Sequence, residues 1–382
     1  MYINNIKIIN HNYTIDNADV EIKDGIIVQI IPKSGMGNNI LIPGFIDSHI
    51  HGYQGLGVTD SLLSLQTISK NLLEIGVTSF VPTVMSDKWH NLKTSLNMIA
   101  KCAKSNQQIL GIHLEGPFIS PIKKGAHNLA HLIKPTPEKI SELFNFSKNL
   151  LVKITFAPEQ ADDLKAIINT MRNHKIIPSI GHTDASVQTI KQAIKDGATS
   201  VTHLWNAMSG VSNRNPGTVT IILNSEKVIA EIICDFIHID QETLLLTLKA
   251  KSPAQLLIVS DAIKPSGLKD GAYESGGLTV YKKGDLITLK DNTIAGSNSS
   301  LYQGFKNLVT IMHDHPHLLT LNDIVAMTSF NAATSLNQRH LGQIAVRKKA
   351  DLLILNNQYD IIEVISNGKC VKKNNVINIT KE

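Results

Sequence analysis

Cysteine is scarce. Cys102, Cys234 and Cys370 are the three in 382 residues, odd in number, far apart and never in a CxxC pair. That excludes a disulfide framework and a thiolate zinc site and predicts three buried thiols. Long apolar runs are missing too, and none approaches the roughly 20 residues of a membrane span. The opening stretch, MYINNIKIINHNYTIDNADV, lacks a cationic segment followed by an apolar one and a small-residue cleavage site. A cytoplasmic location is expected, with no membrane partner. Charge of one sign is not in surplus either: Lys and Arg number 37 against 32 Asp and Glu, a formal +5. The cations are scattered rather than clustered, so nucleic acid is not an expected partner. What is present is 42% hydrophobic and 18% charged residues, a globular composition with enough chain for one large domain or two ordinary ones.

Residues 1–42 alternate Ile/Val-rich runs (NIKIIN, ADVEIK, GIIVQIIP) with Asn, Asp and Gly, and KKADLLILN, IIEVISNGKCV and NVINI repeat that texture at the other end. Short antiparallel strands with tight turns are predicted, the two ends building one small β domain. Between them, eight apolar strand candidates fall at 41–51, 76–83, 109–116, 151–159, 175–183, 199–206, 228–238 and 255–262. Helix-like segments at 62–74, 88–104, 136–149, 161–173, 186–196 and 240–250 separate most of them. This is an α/β pattern. Eight repeats suggest a parallel barrel with its site at the C-terminal ends of the strands, although periodicity alone also admits a doubly wound sheet. Residues 207–227 form a long connection, and 264–298 hold a predicted hairpin inserted after the eighth strand, a place where loops commonly carry substrate contacts.

The candidate strands end in His49 and His51 (first), Glu115 (third), His182 (fifth), His203 (sixth), His238 (seventh) and Asp261 (eighth). Any one of these alone reads more readily as a satisfied loop residue than as a ligand. Six strands agreeing points to convergence, and neutral imidazole with carboxylate oxygen suits a divalent ion that keeps a position open for water. His313, His315 and His317 in MHDHPH lie between predicted helices, where histidines complement a helix C-terminus. They are read as structural, as are His11, His90, His174 and His340.

With PGFIDSHIHG, GIHLEGPFISPIKKGAH, GHTDAS, THLWNAM, NRNPG, SDAI and IAGS in order over about residues 42–300, the chain resembles the amidohydrolase superfamily and, within it, the N-acetylglucosamine-6-phosphate deacetylases. HLEGPF followed by KKGAH is much more specific than HxH. The resemblance implies a (β/α)8 TIM-type catalytic barrel over 43–341 and a small β-sandwich domain from 1–42 and 342–382. It implies hydrolysis of the acetamide of N-acetyl-D-glucosamine 6-phosphate to D-glucosamine 6-phosphate and acetate. Glu115, His182 and His203 would bind the main metal. His49 and His51 would hold a second one bridged through Glu115, making one or two zinc or iron ions per subunit. Asp261 would be the general base that takes a proton from the attacking water and returns it to the departing amine. Ala126 and His127 would lie beside the substrate, Asn206 and Ala207 at the sugar or phosphate, and Ile294, Ala295 and Gly296 along the sugar. Arg214 and His238 would bind the phosphate, the arginine coming from the neighbouring chain of a homodimer. Without the resemblance, Arg214 reads as an exposed loop residue.

The seventh strand departs from the family's D-G-x-H pattern: CDFIH places Phe236 where glycine is usual, predicting a narrowed phosphate end. Two other functions compete. A cyclic-amide hydrolase of dihydroorotase or dihydropyrimidinase type would use a carboxylated lysine as bridging ligand, yet no lysine ends strand three or four. A non-catalytic sugar-phosphate binding protein would have no need of Asp261 as a proton shuttle.

Overall fold

The computed structural model describes residues 1–373. The NVINI segment lies outside the described residues. Eight parallel strands form one sheet in chain order: Phe45–Ile50, Val77–Val84, Ile112–Glu115, Leu151–Phe156, Ile177–Ile180, Ser200–Val201, Ile229–Ile232 and Leu256–Ile258. The barrel closes just beyond the eighth strand, where Asp261 N–H donates to His49 O at 2.9 Å and His51 N–H donates to Ala262 O at 2.9 Å. All eight strand candidates coincide with a barrel strand, the second running one residue further, to Val84. The strands are apolar throughout because both faces are covered; Val77–Val84 is buried at every position.

A helix follows each strand: Leu62–Leu73, Trp89–Ala103, Pro137–Phe146, Leu164–Asn173, Val187–Asp196, Thr218–Leu223, Gln241–Ala250 and Leu301–Asp314. Six of them start at a Ser, Thr or Asp cap whose side chain accepts a first-turn N–H: Ser61, Thr136, Asp163, Ser186, Asp240 and Ser300. Thr218–Leu223 lies inside the long connection over 207–227. Its six residues are too few to show a helical period, and only packing of Val219 and Ile222 into the core reveals it.

Several expectations are corrected. The candidate over 41–51 is two strands in two sheets. Asn39–Pro43 pairs in the small sheet, and the chain crosses where Gly44 N–H donates to Asp351 O and Phe45 N–H donates to Gly76 O in the barrel. An uninterrupted apolar run hides that switch. The insertion after strand eight has three antiparallel strands, Gly271–Ser275, Leu278–Lys283 and Leu286–Thr288, rather than one hairpin. Cys102 and Cys234 are buried, but Cys370 is exposed on a strand of the small sheet.

That small sheet runs Lys369–Lys373, Ile361–Ser366, Leu352–Leu355, Asn39–Pro43, Tyr2–Ile9, Thr14–Lys23, Ile26–Pro32. Its strands are antiparallel except that Tyr2–Ile9 and Asn39–Pro43 run parallel. The sandwich is one continuous sheet folded over, with Ile26 bridging back to Lys349 and Ile8, Val20, Ile27, Leu41, Leu352 and Ile365 enclosed between its halves.

Candidate metal centre and substrate cavity

His49 is in the first barrel strand, His51 follows it, and Glu115 ends the third. His182, His203 and Asp261 lie two to three residues beyond strands five, six and eight, and all three have left-handed backbone, with φ of 48°, 30° and 49°. Non-glycine residues rarely adopt it, and such conformations persist at sites held by their surroundings. Two glycines of the quoted motifs have a local reason. A Cβ on Gly116 (φ 73°) would meet Ser86 Oγ at 2.2 Å, and one on Gly125 (φ 54°) would press on His182 Cε1 at 3.1 Å.

The six side chains form two groups, His49–His51–Asp261 and Glu115–His182–His203, with the ligand atoms of each within 4.8 Å of one another. Glu115 joins them. Its Oε1 lies 3.2 Å from His182 Nε2, 2.9 Å from His203 Nε2 and 3.6 Å from His49 Nε2; its Oε2 lies 3.2 Å from His51 Nε2. Asp261 Oδ1 is 3.4 Å from His49 Nε2 and 3.2 Å from His51 Nε2.

These residues fit divalent ions. His49 Nδ1 faces Glu231 Oε2 at 3.0 Å, His51 Nδ1 faces Thr83 O at 3.1 Å and His182 Nδ1 faces Lys123 O at 2.8 Å. Those acceptors fix the proton on Nδ1 and leave bare lone pairs on Nε2. Yet Nε2 atoms approach to 3.1 Å in both the His49–His51 and the His182–His203 pairs. In the His49–His51 pair, where both protons are fixed on Nδ1, facing lone pairs repel unless a cation lies between them. His203 Nδ1 is buried without a hydrogen-bond partner among the described residues.

Burial opposes the charge on Glu115, but the imidazoles of His49, His127, His182 and His203 packed around it outweigh burial and hold its pKa well below the carboxylate range. Asp261 follows the same pattern, with burial overcome by His49 and His51, so both are carboxylates at neutral pH. Burial lowers His127 to about 4. Its Nδ1 accepts from Ser86 N–H at 3.4 Å, which leaves Nε2–H as a neutral donor beside Glu115.

Five of the six, His51, Glu115, His182, His203 and Asp261, line a 530 Å³ cavity together with Ala126, His127, Asn206, Ala207, His238, Ile294, Ala295 and Gly296, a size suited to a small ligand, and His49 is buried behind them. His238 lies in a turn six residues past the seventh strand rather than at its end. Its Nδ1 donates to Asp235 Oδ2 at 2.7 Å, and this partner outweighs burial and raises its pKa. Arg214 is exposed and does not line the cavity of its own chain. Phe236 takes the left-handed backbone its position demands (φ 61°), but its ring packs on the main core and lines a separate cavity with Tyr53 and Gln303. It does not line the cavity that holds the metal-ligand residues, so the expected narrowing is not seen there. His313, His315 and His317 join neither ligand group.

Some cavity and floor residues were not nominated from sequence. Lys123 and Lys124 line the cavity and were visible inside KKGAH; Asp291 and Thr293, from the insertion, carried no signal. Lys153 and Glu231 form a buried ion pair in the barrel. Their signal was a lone charge in an apolar strand, LVKITF and VIAEII.

A closed (β/α)8 barrel whose mouth gathers histidines and carboxylates around divalent-ion positions defines a metal-dependent hydrolase barrel. The chain belongs to the amidohydrolase family, whose profile matches residues 40–371. It is similar to N-acetylglucosamine-6-phosphate deacetylase of Bacillus subtilis (strain 168), 34% identical over 100% of this chain and 98% of the relative. It is also similar to N-acetylgalactosamine-6-phosphate deacetylase of Escherichia coli O157:H7, 27% identical over 93% and 95%. A crystal structure of the Thermotoga maritima N-acetylglucosamine-6-phosphate deacetylase superposes with a TM-score of 0.91 at 29% identity, covering 98% of this chain and all of that one. The resemblance read from the motifs therefore holds across the chain. Among the described residues, no helix is long and apolar enough to cross a membrane.

Proposed function

We propose that the chain hydrolyses the acetamide of N-acetyl-D-glucosamine 6-phosphate to D-glucosamine 6-phosphate and acetate, in amino-sugar catabolism in the cytoplasm. The observation that carries this reading is Glu115 shared between two histidine groups, with Asp261 beside them at the floor of the cavity. Residues 43–341 are the catalytic barrel, and 1–42 with 342–382 the small β domain. Glu115, His182 and His203 hold the main ion; His49, His51 and Asp261 face a second, zinc or iron in either place. When bound, such an ion lowers the pKa of water toward about 7 and polarises a carbonyl oxygen.

The protein's own groups do the rest. Asp261, a carboxylate at neutral pH, takes a proton from the attacking water and delivers it to the amide nitrogen, because an amine departs poorly unless protonated. His127 Nε2–H donates toward the acyl oxygen as negative charge develops there. Asn206, Ala207, Ile294, Ala295 and Gly296 border the sugar. His238 supplies a cation to the phosphate, and Arg214 reaches it from the partner of a homodimer as a bidentate clamp.

The cyclic-amide reading needs a carboxylated lysine. Lys153, in the fourth strand, has its ammonium committed to Glu231, and a carbamate there would face a carboxylate. The galactosamine epimer is the second reading, supported by the similarity to the Escherichia coli relative.

Acetate release from phosphorylated and unphosphorylated N-acetylglucosamine tests the function. The phosphorylated sugar is expected to be strongly preferred, and Arg214→Ala to raise its KM by about 10- to 100-fold, the worth of a charged hydrogen bond. Equal rates on the two sugars would overturn the assignment.

A pH profile tests His238. Its folded pKa is raised, so the imidazolium is present below that value and lost as pH climbs through it. KM for the phosphorylated sugar should rise on that alkaline limb. Asp235→Asn removes the group that raises it, so the rise should move to lower pH; an unmoved limb argues against His238 as the phosphate cation.

A further inference from the structure

We infer that the buried Lys153–Glu231 pair is a positioning device for the second ion: it aims His49 and makes its nitrogen a stronger donor than the other ligand histidines. The inference rests on the reading that the His49 group binds metal.

Lys153, on the fourth strand, and Glu231, on the seventh, are 3% and 0% exposed inside the barrel. A buried ion pair is a weak source of stability, because desolvating two charges offsets their attraction. Its presence in the barrel interior calls for another explanation, and the direction of Glu231 supplies one. Oε2 of Glu231 receives His49 Nδ1 at 3.0 Å. His51 and His182 instead donate Nδ1 to the backbone carbonyls of Thr83 and Lys123. His49 alone among these three has a charged acceptor, and a carboxylate behind a ligand imidazole fixes its ring and raises its basicity. Lys153 holds that carboxylate in place.

The same Oε2 lies 3.3 Å from the backbone N of His203, a ligand of the other group. That turn has a second anchor: Leu204 N–H donates to the main-chain O of Glu231 at 2.7 Å, a bond no side-chain substitution removes. His49 Nδ1 has no other acceptor among the described residues. Loss of the carboxylate should therefore fall on the His49 group and spare the Glu115–His182–His203 group.

The test is zinc binding by the whole protein, read as ions per chain by elemental analysis and as stepwise affinity by competition with a chelator. Wild type is expected to bind two zinc ions. Glu231→Gln should keep one tightly and bind the second about 10- to 100-fold more weakly. The cobalt-loaded variant, at one ion per chain, should lose the magnetic coupling of a bridged pair. Should Glu231→Gln fail to fold, Lys153→Met/Glu231→Met removes both charges together and should fold, with the same weakened second ion. Unchanged affinity for both ions in a folded variant would overturn the inference. So would equal weakening of both, which marks a general structural role. One zinc per wild-type chain would instead overturn the two-ion reading beneath it.

Discussion

Asp261→Asn is expected to lower kcat for acetate release by about 10²- to 10⁴-fold, the range for removing a positioned general acid–base, with KM nearly unchanged. Asparagine keeps the shape but can neither accept the water's proton nor return it to the amine. His49 and His51 hold the native group as a carboxylate despite its burial, so the base is ready across the neutral range. Asp261 Oδ1 also lies 3.2 Å from His51 Nε2, so zinc content should be measured on the same preparation. Loss of rate at full occupancy of the main site assigns the proton transfer to Asp261. A variant within tenfold of wild type sinks it.

Glu115→Ala should be the more severe lesion. Among the described residues, this carboxylate is the one acidic group within 4 Å of His49, His51, His127, His182 and His203 together. Removing it takes a ligand from both groups and strips His127, His182 and His203 of their carboxylate, whereas His49 and His51 keep Asp261. Loss of metal-assisted catalysis is worth several kcal/mol, at least about 10³-fold in rate, and metal analysis should find both ions depleted. Two ions per chain in the folded variant would refute the bridging role. His182→Asn gives the contrast, because it touches one group and should leave the other partly occupied.

Much of this site is legible in the sequence. His49, His51, Glu115, His182, His203 and Asp261 stood out because each follows an apolar run, and strands of a parallel barrel present their C-terminal ends to one face. Sequence motifs also picked out the cavity residues Ala126, His127, Asn206, Ala207, His238, Ile294, Ala295 and Gly296, all of which line it. Arg214 is the exception, because the single chain leaves it on the surface. Phe236 shows the opposite limit. A bulky residue in a glycine position suggested a crowded pocket, but the direction of a side chain depends on the local φ and on neighbouring cavities.

What the sequence by itself determined was the order and number of β/α units, the contribution of both ends to a β domain and the set of strand-terminal ligands. All are local, periodic or motif-borne signals. Tertiary structure alone decided the switch of sheets at Gly44, the short helix at Thr218–Leu223 and the pairing of His49 with Glu231 and Lys153. Residues 49, 153 and 231 belong to strands one, four and seven, and nothing in their spacing along the chain encodes that they meet. Barrel closure brings them together, and once buried, their polar groups must find one another because no water is there to satisfy them.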